Sequence, residues 1–233
     1  MRPLTGPPSR GGSPNTTPAA GYRARMASTN QSAAVRDLLD RYGRSYAEEA
    51  GIRLADRPAP LYQLLVLATL LSARISGDIA VAAARELFAA GMRTPRAMQQ
   101  ASWQDRVDAL GRGHYRRYDE RTATMLGDGA QLLLERWHGD LRALRDEAGG
   151  QPGRIAELLR AFPGIGPAGA DIFLREVQGV WPKVAPYLDK RVLQGARQAH
   201  LPGDPGKLQQ LAGSRAALPR LAAALVRASR SAG

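Results

Sequence analysis

The stretch from Leu158 to Val177 reads LLRAFPGIGPAGADIFLREV, and it says more about the fold than any other part of this 233-residue chain. Its first part carries apolar residues at helical spacing and stops at Pro163, which cannot continue a helix because its ring removes a donor and fixes φ. Pro167 suits the first position of a second helix. The stretch therefore predicts two helices joined by a tight turn.

The turn between these helices reads Gly-Ile-Gly at positions 164–166. Gly164 and Gly166 predict backbone angles that other residues rarely adopt, and we expect Ile165 between them to pack inward. Without side chains, the two glycines would let a phosphate approach the first backbone N–H groups of the second helix, where the helix dipole favours an anion. This helix-hairpin-helix pattern is typical of nucleic-acid binding, and the alternative is a plain helix–helix connector.

The rest of the chain is helical in pattern from Gln31 onward, and no segment alternates apolar and polar residues as a half-buried strand does. We therefore predict an all-α protein. Residues 1–31 contain five prolines, four arginines and no acid, and predict a disordered basic tail. The helices expected beyond it cover residues 32–46, 61–73, 79–90, 103–110, 117–137, 152–162, 167–177, 188–199 and 209–230, with a further short helix opening at Thr94-Pro95.

The charge balance narrows the class of partner. The chain has 33 basic and 21 acidic residues, which gives a formal net charge of +12. A charge of this size usually faces the phosphates of nucleic acid or an anionic membrane. The longest apolar run, Leu61–Ala73, is shorter than the roughly 20 residues of a membrane-spanning helix, and the N-terminus lacks the apolar core of a secretory signal. We expect a cytoplasmic protein with no membrane partner.

The composition also limits the chemistry. The chain has no cysteine, which excludes a disulfide framework, a thiolate metal site, an iron–sulfur cluster and a cysteine nucleophile. Its three histidines are scattered along the sequence, so we expect no histidine-built metal site. No residue pattern indicates an organic cofactor.

Four segments of the chain, taken in order, resemble segments of the helix-hairpin-helix superfamily of base-excision DNA glycosylases. This superfamily includes endonuclease III, the adenine glycosylases and the alkylbase glycosylases. LLSAR at 70–74 resembles an LLSAQ segment of endonuclease III. GHY at 113–115, followed by Glu120 and Leu132, resembles its GLY…AE…LL segment. The glycine turn matches, and Asp189 in PYLDKRV at 186–192 follows it at the family spacing. The resemblance runs from about Leu61 to Gln198.

The resemblance implies a two-lobed helical fold. Residues 61–168 would form a central lobe that ends in the hairpin, and residues 169–233 a C-terminal lobe that carries Asp189. The helix within residues 32–60 would pack with the C-terminal lobe. Double-stranded DNA would lie across the cleft between the lobes, bound by a monomer. A monovalent cation that bridges hairpin carbonyls to a phosphate is also compatible with the resemblance.

The resemblance further implies that Asp189 is the catalytic carboxylate. It directly precedes a predicted helix, where backbone N–H groups favour an ionised carboxylate. Such a group can stabilise the positive charge that develops on the sugar as an N-glycosidic bond breaks. The reaction expected is removal of a damaged or mispaired base that the sequence does not identify. The alternative is an ordinary aspartate cap, on an inactive DNA-binding protein with the same scaffold.

One departure from the family limits the reaction. Bifunctional members carry a lysine two residues after the second hairpin glycine, where this chain has Ala168. Alanine has no amine and cannot form a Schiff base with an abasic sugar. We therefore expect an enzyme without lyase activity. The cysteines that bind the iron–sulfur cluster of endonuclease III are absent as well.

The expected DNA contacts come from the same four segments. Arg74 takes the place of a glutamine that fills the gap left by a flipped base, and the alternative is that it caps the preceding helix. An aromatic or histidine side chain at 114–115 could contact a base, although Tyr115 could equally be a packing residue. The full set expected at the DNA interface is Gly164, Ile165, Gly166, Ala168, Arg74, His114, Tyr115, Lys190 and Arg191.

Overall fold

The computed structural model describes residues 18–231, with side chains from 29 to 229, and within this part the chain contains helices and no strand. The predicted all-α class is therefore confirmed. The helices are α1 (Pro18–Tyr42), α2 (Tyr46–Glu49), α3 (Pro58–Leu71), α4 (Gly77–Ala89), α5 (Pro95–Gln100), α6 (Trp103–Arg112), α7 (Asp119–Trp137), α8 (Leu141–Glu147), α9 (Pro152–Leu159), α10 (Pro167–Val177), α11 (Lys190–Gln198), α12 (Pro205–Ala212) and α13 (Leu218–Ser231), with a 3₁₀ turn at Arg215–Ala217.

Local capping chemistry sets most of the helix starts. Ser45, Ser76 and Ser102 cap α2, α4 and α6, and each serine oxygen accepts a hydrogen bond from the backbone N–H three residues ahead. A proline lies in the first turn of α3, α5, α9, α10 and α12, where a missing N–H costs nothing. The sequence predicted the proline starts of α5, α9 and α10, and it did not predict the serine caps.

The N-terminal part differs from the prediction. Residues 1–17 of the expected disordered tail lie outside the described residues, and residues 18–31 belong to α1. A proline suits the first turn of a helix, and the sequence after Pro18 is rich in alanine and arginine, which are strong helix formers. The absence of an apolar stripe hid this helix, because composition alone suggested a tail.

The single C-terminal helix expected over residues 209–230 is divided in the structure. Gly213 ends α12 with a left-handed φ of 78°, a backbone conformation that glycine adopts without steric cost. Ser214 then caps the 3₁₀ turn that leads into α13. The Gly-Ser pair therefore acts as a stop and a new start.

Buried side chains form two clusters. The larger one runs from Tyr46 to Val184 and includes apolar side chains of the helices from α2 to α10. The smaller one combines Val35 of α1 with side chains from Leu188 to Val226 in α11–α13 and their connections. Helix α10, which we expected in the C-terminal lobe, places its buried apolar residues in the larger cluster. The smaller cluster begins just before α11.

The close approach of α11 and α13 holds the smaller cluster together. Gly195 faces the backbone of Leu225 so closely that a Cβ at position 195 would overlap its carbonyl group. A glycine is needed there because two helix backbones meet. No described helix combines the length and the apolar character needed to cross a membrane.

Candidate nucleic-acid interface and carboxylate site

The connector between α9 and α10 comprises residues 160–166. Gly164 has φ +85°, which confirms the left-handed conformation that its glycine predicts. A Cβ there would lie 3.0 Å from Thr69 Cγ2 and 3.2 Å from Met125 Sδ. The connector is thus seated against α3 and α7, and both geometry and space favour glycine.

Gly166 does not follow the prediction of unusual backbone angles. Its φ of −93° and ψ of −170° are those of extended backbone, which any residue can adopt. A Cβ at this position would meet nothing within 4 Å. Gly166 instead leaves open space in front of α10. Two glycines in a turn have the same sequence pattern whether they serve left-handed geometry or open space, so the sequence could not decide between the two.

Ile165 packs as predicted. It is 5% exposed and belongs to the larger cluster, and its N–H donates to the Phe162 carbonyl at 3.1 Å. The buried side chain anchors the connector while Gly164 and Ala168 on either side stay exposed. The backbone beside it therefore faces outward.

The first turn of α10 has backbone donors that no side chain caps. No side chain caps this helix, since its N-cap is Gly166. Pro167 has no N–H, so the N–H groups of Ala168 and Gly169 lead the helix. These groups and the helix dipole together favour an anion at this position.

The cation that the resemblance suggests would bind to backbone carbonyls of the connector. The Phe162 carbonyl accepts from Ile165 N, and the Gly166 carbonyl accepts from Ala170 N at 3.0 Å. A carbonyl oxygen has two lone pairs, so these bonds do not block a cation. Its presence stays a prediction.

Asp189 is the N-cap of α11, as its place before the helix predicts. Its Oδ1 accepts hydrogen bonds from the backbone N–H groups of Arg191 at 2.9 Å and Val192 at 3.0 Å. Its Oδ2 lies 3.3 Å from Arg175 Nε but makes no hydrogen bond. The contact is an ion pair without hydrogen-bond alignment, and the side chains of Asp189 and Arg175 are only 7% and 8% exposed.

A polar stripe on α10 holds the segment that ends in Asp189. We define the α10 polar stripe as Asp171, Arg175 and Gln178, whose i, i+4, i+7 spacing puts them on one helix face. Tyr187 Oη donates to Asp171 at 2.5 Å. Gln178 binds the Tyr187 backbone twice, donating to its carbonyl at 3.0 Å and accepting from its N–H at 2.8 Å. Burial, together with Asp171, raises the pKa of Tyr187.

Sequence reasoning did not find this stripe. Its members pair with residues 9 to 16 positions further along the chain, beyond the reach of any periodic pattern. The one available signal was three polar residues at i, i+4 and i+7 in and directly after a mostly apolar helix. Such residues need partners when buried.

Several predicted residues meet at one cleft. The arginine cleft, as we call it, has a volume of about 290 Å³ and is lined by Arg74, Arg175, Arg191 and Ala168 together with apolar and small residues, and no acidic side chain. Arg74 follows the end of α3, Ala168 lies in the first turn of α10, and Arg191 in the first turn of α11. Lys190 is exposed beside Asp189 and does not line this cleft.

Arg74 is exposed, and its side chain has no hydrogen-bond or ion-pair partner in the described part of the chain. The alternative that it caps α3 is therefore not seen. The C-cap of that helix is Ser72, whose hydroxyl donates to the Ala68 carbonyl at 2.6 Å. The Arg74 guanidinium remains available to a ligand.

The GHY segment lies elsewhere. Tyr115 is 1% exposed in the larger cluster, and burial raises the pKa of its hydroxyl. Tyr115 is therefore a packing residue, and its buried side chain does not offer the contact with DNA that we expected. Gly113 is so close to α4 that a Cβ would overlap the backbone of Ala83. His114 is exposed in a left-handed conformation with φ 62°, and it does not line the arginine cleft.

A buried carboxylate also escaped the sequence reasoning. Glu176 is 3% exposed and accepts hydrogen bonds from the backbone N–H groups of Tyr46 at 3.2 Å and Ala47 at 3.0 Å. It thus satisfies the first turn of α2 from a distant helix. Burial raises the pKa of Glu176 despite these bonds. Its role in this position is structural.

The described residues contain no group of three or more histidine, cysteine, aspartate or glutamate side chains placed to hold a metal ion. Comparison of the whole chain with family models, with curated proteins and with solved structures gives no match in any of the three.

Proposed function

We propose that this protein is a monofunctional DNA N-glycosylase that binds double-stranded DNA and hydrolyses the N-glycosidic bond of a damaged or mispaired base. The observation that carries the proposal is the meeting of distant sequence segments at the arginine cleft. Arg74, Ala168 and Arg191 line it, and Arg175 of the same cleft pairs with Asp189. Three of the four segments with the family resemblance thus converge.

DNA binding would begin at the connector. The uncapped first turn of α10 and the open space at Gly166 allow a backbone phosphate to reach two N–H donors. Such contacts carry no base information and position the duplex. The net charge of +12 adds a long-range attraction, so affinity should fall steeply as salt rises.

Asp189 would then act on the sugar of the target nucleotide. When the N-glycosidic bond breaks, its electron pair leaves with the base and positive charge develops on the sugar. A carboxylate next to C1′ lowers the energy of that charge. A water molecule adds to C1′ and loses its proton, for which Asp189 is the candidate acceptor. With alanine at position 168, no amine takes the place of water there.

A second candidate is a DNA-binding protein on this scaffold without catalysis. One observation favours it: the Asp189 side chain is 7% exposed and already pairs with Arg175. A carboxylate neutralised in this way stabilises a sugar cation less than a free one does. The two candidates share the binding surface and differ only in what Asp189 does.

The experiment compares two aspartate caps. Asp189→Asn and Asp204→Asn each replace an N-cap carboxylate, since Asp204 Oδ1 accepts from Lys207 N at 2.8 Å at the start of α12. The substrates are duplexes that carry uracil, an oxidised pyrimidine, an alkylpurine or mismatched adenine. Hot alkali then reveals base loss as a nick.

We expect the parent to release at least one base. Asp189→Asn should reduce that rate by about a hundredfold or more without loss of DNA affinity, whereas Asp204→Asn should keep it. If Asp189→Asn remains as active as the parent, Asp189 is not the catalytic residue. If no duplex loses a base while binding is tight and salt-sensitive, the binding protein replaces the enzyme as the function.

A further inference from the structure

We propose that the arginine cleft is a phosphate-binding site and that Arg175 is shared between the bound phosphate and Asp189. The inference deepens the proposed function, because the phosphate is that of a DNA strand next to the target nucleotide. Its first test uses no DNA, so the site and the proposed function can fail separately.

The charges of the cleft point to an anion. Three arginines line it, and no acidic residue does. Arg74 and Arg191 are exposed, and neither side chain has a partner in the described part of the chain. The planar fork of an arginine matches two oxygens of a phosphate. Two unpaired forks, one from the bend after α3 and one from the first turn of α11, line the same small cleft and can bind such a group together.

Arg175 has a different status in the same cleft. It is buried, and its only charged partner among the described residues is Asp189, whose Oδ2 lies 3.3 Å from Arg175 Nε. A guanidinium carries five N–H donors, and this contact uses one edge without a hydrogen bond. A phosphate between Arg74 and Arg191 would therefore compete with Asp189 for Arg175.

Sharing Arg175 couples the two sites. Without phosphate, Arg175 neutralises Asp189; with phosphate, its charge is drawn toward the cleft and the carboxylate is less masked. Bound phosphate weakens the pair between Arg175 and Asp189. Because such a coupling is reciprocal, Asp189 must weaken the binding of phosphate by the same factor. Removal of the Asp189 charge should then tighten it. A carboxylate that served only to cap α11 would give no such result through Arg175.

The first test titrates the protein with inorganic phosphate at constant ionic strength and follows the thermal midpoint, which a ligand of the native state raises. Arg74→Gln/Arg191→Gln should weaken phosphate binding about tenfold or more, as expected for lost charge-assisted hydrogen bonds. The matched control is Arg96→Gln/Arg215→Gln, which removes two exposed arginines that do not line the cleft. Circular dichroism checks that both variants fold.

The second test compares Asp189 with Asp171, which accepts a hydrogen bond from Tyr187 in the segment that ends in Asp189. Asp189→Asn should tighten phosphate binding about fivefold or more, a coupling of ordinary size. Asp171→Asn removes the same charge from α10 and keeps an acceptor for Tyr187 Oη, but it does not touch Arg175. Equal tightening by both variants would mean that charge acts through space alone, and it would overturn the sharing of Arg175.

The last arm identifies the source of the phosphate. A duplex with a tetrahydrofuran abasic analogue should compete with inorganic phosphate, and a nucleoside 5′-monophosphate should compete only weakly. If the cleft double variant binds phosphate as the parent does, the site is absent whatever the protein does with DNA. If phosphate binds there but the duplex does not compete, the DNA source and the proposed function both fall while the anion site stands.

Discussion

Replacement of Gly166 by serine should stabilise the fold and weaken DNA binding at the same time. Gly166 is an extended N-cap with φ −93° and ψ −170°, close to the geometry that Ser45 and Ser102 adopt at the caps of α2 and α6. A serine hydroxyl at 166 would accept from Gly169 N. The better cap and the stiffer unfolded chain should add about 0.5–1 kcal/mol to the free energy of unfolding, or about 1–4 °C in Tm.

The same hydroxyl would compete with a phosphate. It would occupy an N–H group at the start of α10, and its Cβ would fill space that is open to 4 Å around Gly166. Loss of one hydrogen bond to a charged group costs about 1.5–3 kcal/mol, which corresponds to about a tenfold or larger rise in Kd. A substitution that stabilises the protein and impairs its binding is the expected mark of a site that sacrifices stability for function.

Two measurements check this prediction. Thermal unfolding gives the change in Tm, and fluorescence anisotropy with a labelled duplex gives Kd over a series of salt concentrations. The slope of log K against log salt should decrease by about one for the lost phosphate. Gly153→Ser is the control, because Gly153 is an exposed glycine in the first turn of α9 with nothing within 4 Å of its Cβ. A Gly166→Ser variant that binds with the parent's affinity and slope would refute the phosphate site.

Two further predictions concern chemistry and pH. Borohydride should trap the Ala168→Lys variant, and not the parent, on abasic DNA. Ala168 is exposed in the arginine cleft, and the nearby arginines would lower the pKa of a new amine. Trapping of the parent would show that another amine forms the Schiff base. Burial raises the pKa of Glu176 in the folded protein, so the folded state holds that proton more tightly than the unfolded chain. The stability it contributes is complete below the ordinary glutamate pKa and is lost as pH rises through the raised one. Denaturant unfolding of Glu176→Gln and parent should therefore show the variant gaining relative to the parent from pH 5 to pH 8, and a difference independent of pH would contradict the assignment.

The local features of the fold could be read from the sequence because short-range chemistry determines them. Pro167 starts α10, Gly164 adopts a left-handed turn and Asp189 caps α11, and each follows from the residue type and its immediate neighbours. The end of α9 was predicted less well, because the helix stops at Leu159 and not directly before Pro163. Residues 18–31 could not be read in this way. Alanine and arginine favour a helix there, but the segment has no apolar stripe, and its composition is also that of a disordered tail.

The arrangement of the candidate site required the structure. Glu176 and the α10 polar stripe act on residues that the chain brings back from elsewhere, so their role depends on tertiary packing and not on spacing. Tyr115 shows the opposite case, because an aromatic residue in a loop has the same sequence signature whether it packs inward or faces a ligand. Burial of its side chain decides between the two.

Helix α10 connects the phosphate donors to the carboxylate as one rigid element. Its first turn forms the exposed edge at Ala168, and two turns later, about 10 Å along the axis, Arg175 reaches Asp189. Side chains on a helix tilt toward its N-terminus, and both Arg175 and Ala168 line the arginine cleft. A phosphate held at the start of α10 and a charge carried by Asp189 would therefore act on one guanidinium group. Lysine, with a single point charge, could not serve both partners with separate donors in a fixed plane, which gives a physical reason for arginine at position 175.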